Sequence, residues 1–271
     1  MNILYVRNNN DRAAQFQLQT VIYEEGGQRY VKKQALIPDA FPHLKRMKDN
    51  YLKLSSAIVD PRIKLAEILY ESENCLIFEF IDGNSFEDKF NEALNKGEGE
   101  SDSVIDEYFE LLKTGFKTTL FESSSMVTDH FRNIFGKYDY QELDGELCFD
   151  GISNIDLILS NIIFKDGFIY IIDYEWVFEL NVTIGYAASR AFPIHKDLYG
   201  KMEKHLLAEF VNGKRGSHNA QIHYQKKRTN IFQDIEEKEN VIQKLNQEIV
   251  HLHDIAQSLR VKNRIKRMFR F

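Results

Sequence analysis

Two aspartates and an asparagine stand at a spacing that can gather three hard oxygen donors at one point. Asp156 is followed five positions on by Asn161, and Asp173 comes twelve positions after that. The stretch 162–172 is strongly apolar and is broken by Asp166-Gly167. Asp-Gly between two apolar runs favours a two-residue type I′ hairpin turn. That turn pairs Lys165 with Phe168, Ile162 with Ile171 and Asn161 with Ile172. Asn161 and Asp173 then meet at the open end of the hairpin, roughly 5–8 Å apart at Cβ, as cross-strand and diagonal neighbours are. Asp156 lies one short loop upstream of the same end. One carboxamide and two carboxylates brought together in this way suit Mg²⁺ held jointly with substrate phosphates, which is the chemistry of phosphoryl transfer. The plainer alternative is a hairpin whose polar residues merely cap its ends.

The elements that must position these groups follow from periodicity. A short strand at 3–6 leads into the polar loop 7–12, and residues 16–23 alternate as a strand. Glu24-Glu25-Gly26-Gly27 turns that strand into 28–35, a second hairpin. Its pairing sets Ile22, Val31, Lys33 and Ala35 on one face, and Val21, Tyr23, Tyr30 and Lys32 on the other. Residues 38–56 read as a helix, with Ala40, Leu44, Met47, Tyr51 and Leu54 at helical spacing. Strands are expected at 63–69 and 75–80. Ile81-Asp82-Gly83-Asn84 breaks the pattern as a hinge between lobes. Ser85 with Glu87 and Asp88 opens a helix to about Leu94. Residues 95–103 read as a Gly/Glu/Ser loop. Residues 104–121 read as a helix presenting Ile105, Tyr108, Leu111, Leu112, Phe116 and Leu120, and a further helix spans about 126–135. After the chemical hairpin, two or three short helices run to Phe210.

Composition bounds the function. The chain has 271 residues, is 43 % apolar and carries a formal charge of -6, so it reads as a folded chain and not as a generic nucleic-acid binder. Its two cysteines, Cys75 and Cys148, lie in apolar runs and read as core thiols of a reducing compartment. The first residues lack a signal-peptide apolar region, and no run of 18 apolar residues exists. A cytoplasmic location is expected. There is no G-x-S-x-G nucleophile elbow, and His251 and His253 lack the i, i+4 spacing of a helical zinc pair.

Asp-Leu-x-x-x-Asn at 156–161 and Ile-Asp-Tyr-Glu at 172–175 resemble the His-x-Asp-Leu-x-x-x-Asn and Ile-Asp-Phe-Glu motifs of aminoglycoside and lipopolysaccharide kinases. With Asp173-Tyr-Glu-Trp-Val-Phe, the downstream Arg190 and the region after it, the chain looks most like kinase-like proteins of bacterial surface-glycan assembly, such as the kinase part of O-antigen chain-terminating enzymes. The resemblance covers about residues 1–210. It implies an α+β, protein-kinase-like two-lobe fold: a β-rich N-lobe over 1–82 and a helical C-lobe over 83–212. It also implies ATP and Mg²⁺ as cofactors. Asp156 would orient and deprotonate the acceptor hydroxyl. Asn161 and Asp173 would bind Mg²⁺. Lys33, preferred to Lys32 because its face carries the small apolar residues that would sandwich adenine, would hold the α- and β-phosphates. Glu79, Phe80 and Ile81 would form the hinge that hydrogen-bonds adenine through the backbone. A protein kinase proper would need a peptide-docking activation segment, and only a short stretch separates Asp173 from Arg190.

Several positions depart from the family pattern. Asn154 stands where the family carries a mostly structural His. The loop 7–15 has no glycine, although Asn8, Asn9 and Asn10 tolerate left-handed geometry. No Glu lies between Gln34 and Ala66 to pair with the lysine, which leaves Asp39 or Asp49. A catalytically inactive scaffold that recruits glycosyltransferases is therefore the alternative expectation.

A second signal follows the linker 213–230. Ile235, Ile242, Ile249 and Ala256 alternate with Ile231, Leu245, Leu252 and Leu259 in a heptad pattern, with Lys238 as one polar interruption. Isoleucine at a and leucine at d favours a parallel two-stranded coiled coil over 231–259, forming a homodimer or binding a partner helix. The alternative is one amphipathic helix docked on its own lobe. Six of the last twelve residues, 260–271, are basic, with Ile265, Met268, Phe269 and Phe271 among them. Such a tail suits an anionic membrane surface at the inner face of the cell membrane. The expected partners are ATP and a glycan or lipid-linked sugar acceptor.

Overall fold

The computed structural model describes residues 1–96, 98–192, 194 and 196–208, all within one of two compact units, Met1–Ser217. The expected linker 213–230, coiled coil 231–259 and basic tail 260–271, with His218, His223, His251 and His253, lie outside the described residues.

Sheet comes first and helix later. Strands β1 (Asn2–Asn8), β2 (Leu18–Glu25) and β3 (Gln28–Ala35) run consecutively, and helix α1 (Phe41–Ala57) follows. The expected strand at 63–69 is split into β4 (Ile63–Leu65) and β5 (Ile68–Glu71), ahead of β6 (Cys75–Glu79). One antiparallel sheet takes the order β1-β2-β3-β6-β5. Gly26 and Gly27 turn β2 into β3 with φ of 61° and 79°, the double left-handed pair of a type I′ turn. Helix α1 buries His43, Leu44, Met47, Asn50, Leu54 and Ala57 at helical spacing; Leu44, Met47 and Leu54 join the core that holds the sheet, and His43 and Asn50 turn to the segment 174–176.

Beyond β6 the chain crosses Ile81-Asp82-Gly83 into β7 (Asn84–Ser85) and α2 (Phe86–Lys96). A Cβ on Gly83 would lie 2.3 Å from the Phe164 carbonyl oxygen, so only glycine fits this crossing. Ser85 and Asp88 cap α2 reciprocally: the Asp88 amide donates to Ser85 Oγ at 3.0 Å, and the Ser85 amide donates to Asp88 Oδ2 at 2.9 Å.

Three expectations fail next. Residues 98–103 are not a loop, because α3 (Glu98–Gly115) begins there and buries Ser101 and Val104. Acidic Glu100 and Asp102 suit a helix N-terminus, and packing against α2 outweighs the Gly/Glu/Ser composition. The helix also stops at Gly115 rather than Phe121. Thr118–Leu120, rich in β-branched residues, forms β8 and leaves Leu120 exposed. The expected helix at 126–135 is two pieces, α4 (Ser123–Met126) and α5 (Asp129–Phe135), with the Thr128 hydroxyl capping the second.

The remaining elements are β9 (Leu147–Phe149), β10 (Ser153–Asn154), β11 (Ile162–Lys165), β12 (Phe168–Ile171), β13 (Val177–Phe178), α6 (Ile184–Ala191) and α7 (Asp197–Leu206). A second sheet runs β4-β12-β11-β7, with β4 parallel to β12. One core joins the N-terminal sheet, α1, α3 and this hairpin. Another packs α5, α7 and Trp176. Cys148 sits in the second core, where burial pushes its thiol up to about 11. No helix among the described residues is long and apolar enough to cross a membrane.

Candidate active site

The hairpin carrying the oxygen donors has the register that its turn demands. Ile162 faces Ile171, and Lys165 faces Phe168. Asp166 and Gly167 take φ of 51° and 78°. The Ile172 amide donates to the Asn161 carbonyl at 3.0 Å, extending the ladder to the open end of the hairpin. Ala66, just after β4, donates its amide to the Ile171 carbonyl and fixes the opposite edge of β12.

Asn161 and Asp173 then enter a single cleft of about 230 Å³ together with Lys33. That volume is just below the roughly 300 Å³ at which small-molecule sites usually begin. Ile22, Val31, Ala66, Phe78 and Ile172 supply its apolar wall. Glu79, Phe80 and Ile81 line it as well, at the strand end where adenine contacts were expected. The Glu79 side chain is turned to the Glu67 amide at 2.9 Å, and Phe80 lies under the Arg29 guanidinium at 4.9 Å. Tyr5 and Arg7 of β1 also reach the cleft.

Lys33, not Lys32, is the lysine of the cleft. It is 7 % exposed, and its ammonium donates to both Asp173 carboxylate oxygens at 2.9 Å. Burial works to lower its pKa, but Asp173 and Glu175 outweigh that and hold it above the ordinary lysine value.

Asp156 stands beside the cleft and is not among the residues lining it. Its carboxylate meets the Arg190 guanidinium at 3.0 Å. Burial pushes Asp156 up to about 6; Arg190 opposes this, while Asp173 and Glu175 add to it. Two side chains tie its backbone to the metal-ligand candidates. Asn161 Nδ2 donates to the Asp156 carbonyl at 2.9 Å. Asn154 accepts from the Asp156 amide at 2.9 Å and donates to the Asp173 carbonyl at 3.1 Å. Asn154 thus braces the site from the position where the resembled family carries a mostly structural histidine.

The expected acidic partner of Lys33 is corrected. Asp39 and Asp49 are both exposed, and neither forms an ion pair with Lys33. The partners come from the segment after β12: Asp173, and Glu175 at 3.7 Å. Helix α1 offers His43 instead, whose Nε2 lies 2.7 Å from Glu175 Oε1. Arg12, from the loop between β1 and β2, also pairs with Glu175 Oε1. Burial alone would raise the Glu175 pKa. Arg12, His43 and Lys33 together reverse that and hold it well below the usual carboxylate range. Glu175 is part of the motif at 172–175, which by itself assigns it no role. The available signal was its i, i+2 spacing from Asp173, and both carboxylates reach the Lys33 ammonium.

The oxygen donors fit a divalent cation. With Asn161 Nδ2 engaged, its side-chain oxygen Oδ1 carries no hydrogen bond among the described residues, and the residue shares the cleft with Asp173. The Lys33 ammonium, spanning both Asp173 oxygens, shows that a cation is accommodated there. No group of three or more His, Cys, Asp or Glu side chains is arranged for a metal among the described residues. Two protein oxygens completed by phosphate and water suit Mg²⁺.

No protein-family model and no curated protein matches the sequence. Solved structures do overlap it. The streptomycin–ATP ternary complex of APH(2″)-IIa is 15 % identical, covering 75 % of this chain and 81 % of that one at a TM-score of 0.35. ADP-bound aminoglycoside phosphotransferase APH(2″)-Ib is 14 % identical over 82 % and 83 %, at a TM-score of 0.36. The macrolide 2′-phosphotransferase MphH of Brachybacterium faecium is 7 % identical over 74 % and 76 %, at a TM-score of 0.36. Superpositions this loose assign neither fold nor activity, and the functional case rests on the geometry of the cleft.

Proposed function

We propose that the chain is a protein-kinase-like, ATP- and Mg²⁺-dependent phosphotransferase that moves the γ-phosphoryl group to a hydroxyl. The observation that carries this reading is the meeting of Lys33, Asn161 and Asp173 in a cleft with an apolar wall. Phosphoryl transfer asks little covalent chemistry of the protein, and positioned charge supplies most of the rate. Lys33, whose ammonium sits in the cleft, would hold the α- and β-phosphates. Val31, Ile22 and Ala66 take the adenine faces, and the backbone at Glu79, Phe80 and Ile81 takes its edge. Asn161 and Asp173 hold Mg²⁺, which supplies charge neutralisation on the phosphates. Asp156, oriented by Arg190 at 3.0 Å, accepts the proton of the acceptor hydroxyl. With its carboxyl at about 6, it is mostly ionised at neutral pH and close enough to it to take and release a proton.

The acceptor assigned in this reading is a sugar hydroxyl on a lipid-linked or polymeric surface glycan. The 231–259 coil would dimerise the protein or bind a partner helix, and the 260–271 tail would hold it at an anionic membrane surface. The acceptor rests on the motif resemblance.

Titration calorimetry with ATP tests the reading. Wild-type protein binds in the presence of Mg²⁺, and Asp173→Ala abolishes the Mg²⁺-dependent part. A wild-type chain with no nucleotide affinity would instead leave the kinase-like scaffold as the function.

A further inference from the structure

Four chain segments meet at one buried carboxylate. Glu175, 6 % exposed, belongs to the segment after β12. Arg12 reaches it from the β1–β2 loop, His43 from α1 and Lys33 from β3. His43 Nε2 lies 2.7 Å from Glu175 Oε1, and its buried Nδ1 has no hydrogen-bond partner. Two carboxylates, Asp173 and Glu175, face the lysine and arginine cations Lys33 and Arg12. The loop that delivers Arg12 has no glycine, and its backbone is tied down internally. Gln17 Nε2 donates to the Arg12 carbonyl at 2.8 Å, and the Asn9 amide donates to the Leu18 carbonyl at 2.9 Å.

We propose that Glu175 is the positioning residue for Lys33, in place of an acidic side chain on α1, and that its pairing with Arg12 latches the 9–17 loop at the Lys33 end of the cleft. The consequence for catalysis rests on the phosphotransferase reading; the latch does not. Two absences then share one explanation. α1 needs no glutamate, because the counter-ion comes from two residues beyond Asp173. The loop needs no glycine, because it is placed by a guanidinium and does not rely on backbone approach to a ligand. Were Glu175 uncharged, Lys33 would follow Asp173 alone, and the phosphate-binding ammonium would move with the metal ligand.

Two measurements on the intact chain test this. The first is amide hydrogen exchange without nucleotide in wild type, Arg12→Gln and Glu175→Gln. Both variants speed exchange across 9–17 by about tenfold or more, while β5 and β6 amides keep wild-type rates. The second is steady-state kinetics with ATP. Glu175→Gln raises KM for ATP by at least about tenfold, with a smaller change in kcat, and Glu175→Asp, which keeps the charge, recovers part of the loss. Loop exchange within twofold of wild type in both variants, or an unchanged KM in Glu175→Gln, overturns the proposal. If Glu175→Gln fails to fold, Arg12→Gln carries the loop test, because it leaves Glu175 with His43 and Lys33. A wild-type chain that turns over no ATP would sink the reading of function, and the exchange comparison then decides the latch by itself.

Discussion

Replacing Arg190 by Gln isolates the electrostatics of the proposed base. Arg190 Nη2 lies 3.0 Å from Asp156 Oδ1, and the two side chains are only 17 % and 15 % exposed, so solvent screens the pair weakly. Burial is the main force raising the carboxyl, and Arg190 is the main force opposing it. Removing an opposite charge at this distance raises a carboxyl by about 1–3 pH units. The acid limb of kcat/KM, which reports the free enzyme, then moves upward by that amount from its wild-type position near 6. A move of about 2 units cuts the ionised fraction at pH 7 from about 90 % to about 10 %, so kcat/KM falls about tenfold there and recovers towards pH 9. That recovery separates a shifted proton from a damaged fold. Arg190→Lys keeps the charge and so keeps the limb. A wild-type limb near pH 4, an Arg190→Gln limb that stays in place, or a loss that persists at pH 9 would each refute the argument.

The same carboxyl affects stability. Because its folded value of about 6 lies above the ordinary 3.8, the folded state binds the proton more tightly, and stability is lost as pH rises from about 4 to about 6. At 1.36 kcal/mol per pH unit that gap is worth about 3 kcal/mol, so urea unfolding of Asp156→Asn should gain up to about that much on wild type between pH 4 and pH 8, while phosphoryl transfer is lost. A difference between the two proteins that stays flat with pH removes the burial argument. Gly83→Ala forces a Cβ to within 2.3 Å of the Phe164 carbonyl, so the crossing strand must part from β11. A loss of about 1–3 kcal/mol in urea unfolding is expected, and a neutral substitution would show that the crossing is looser than drawn.

What the sequence made legible was whatever a turn fixes. Asp166-Gly167 and Gly26-Gly27 each set a register in which side-chain direction alternates, and a slip of one residue would turn every side chain over. From those two turns follow the meeting of Asn161 with Asp173 and the choice of Lys33 over Lys32. What was not legible was charge delivered from far along the chain. Arg12 and Glu175 are 163 positions apart and Lys33 and Asp173 are 140 apart, and no periodicity links such residues. Searching the nearest helix for an acid therefore pointed to Asp39 and Asp49, while the carboxylate lay two residues past a motif already in view. The N-terminal end of α3 was hidden for a related reason. Its local composition is that of a loop, and burial of Ser101 and Val104 reverses the local preference.

Asn154 shows how a departure from a motif should be weighed. A histidine at that position can donate with one ring nitrogen and accept with the other. The asparagine side chain also has one accepting and one donating end, and here it spends them on the Asp156 amide and the Asp173 carbonyl. Asn154 supplies both hydrogen bonds here, so the spacing of the proposed base and the proposed metal ligand does not depend on a histidine. The missing α1 glutamate and the missing glycines differ in kind, because no side chain of like chemistry stands in their places. What replaces them is a relocated charge: Glu175 for the glutamate, and Arg12 bound to it for the loop. Two carboxylates and two cations are closed into one buried network at 5–25 % side-chain exposure, and perturbed buried charges of this kind cluster at functional sites.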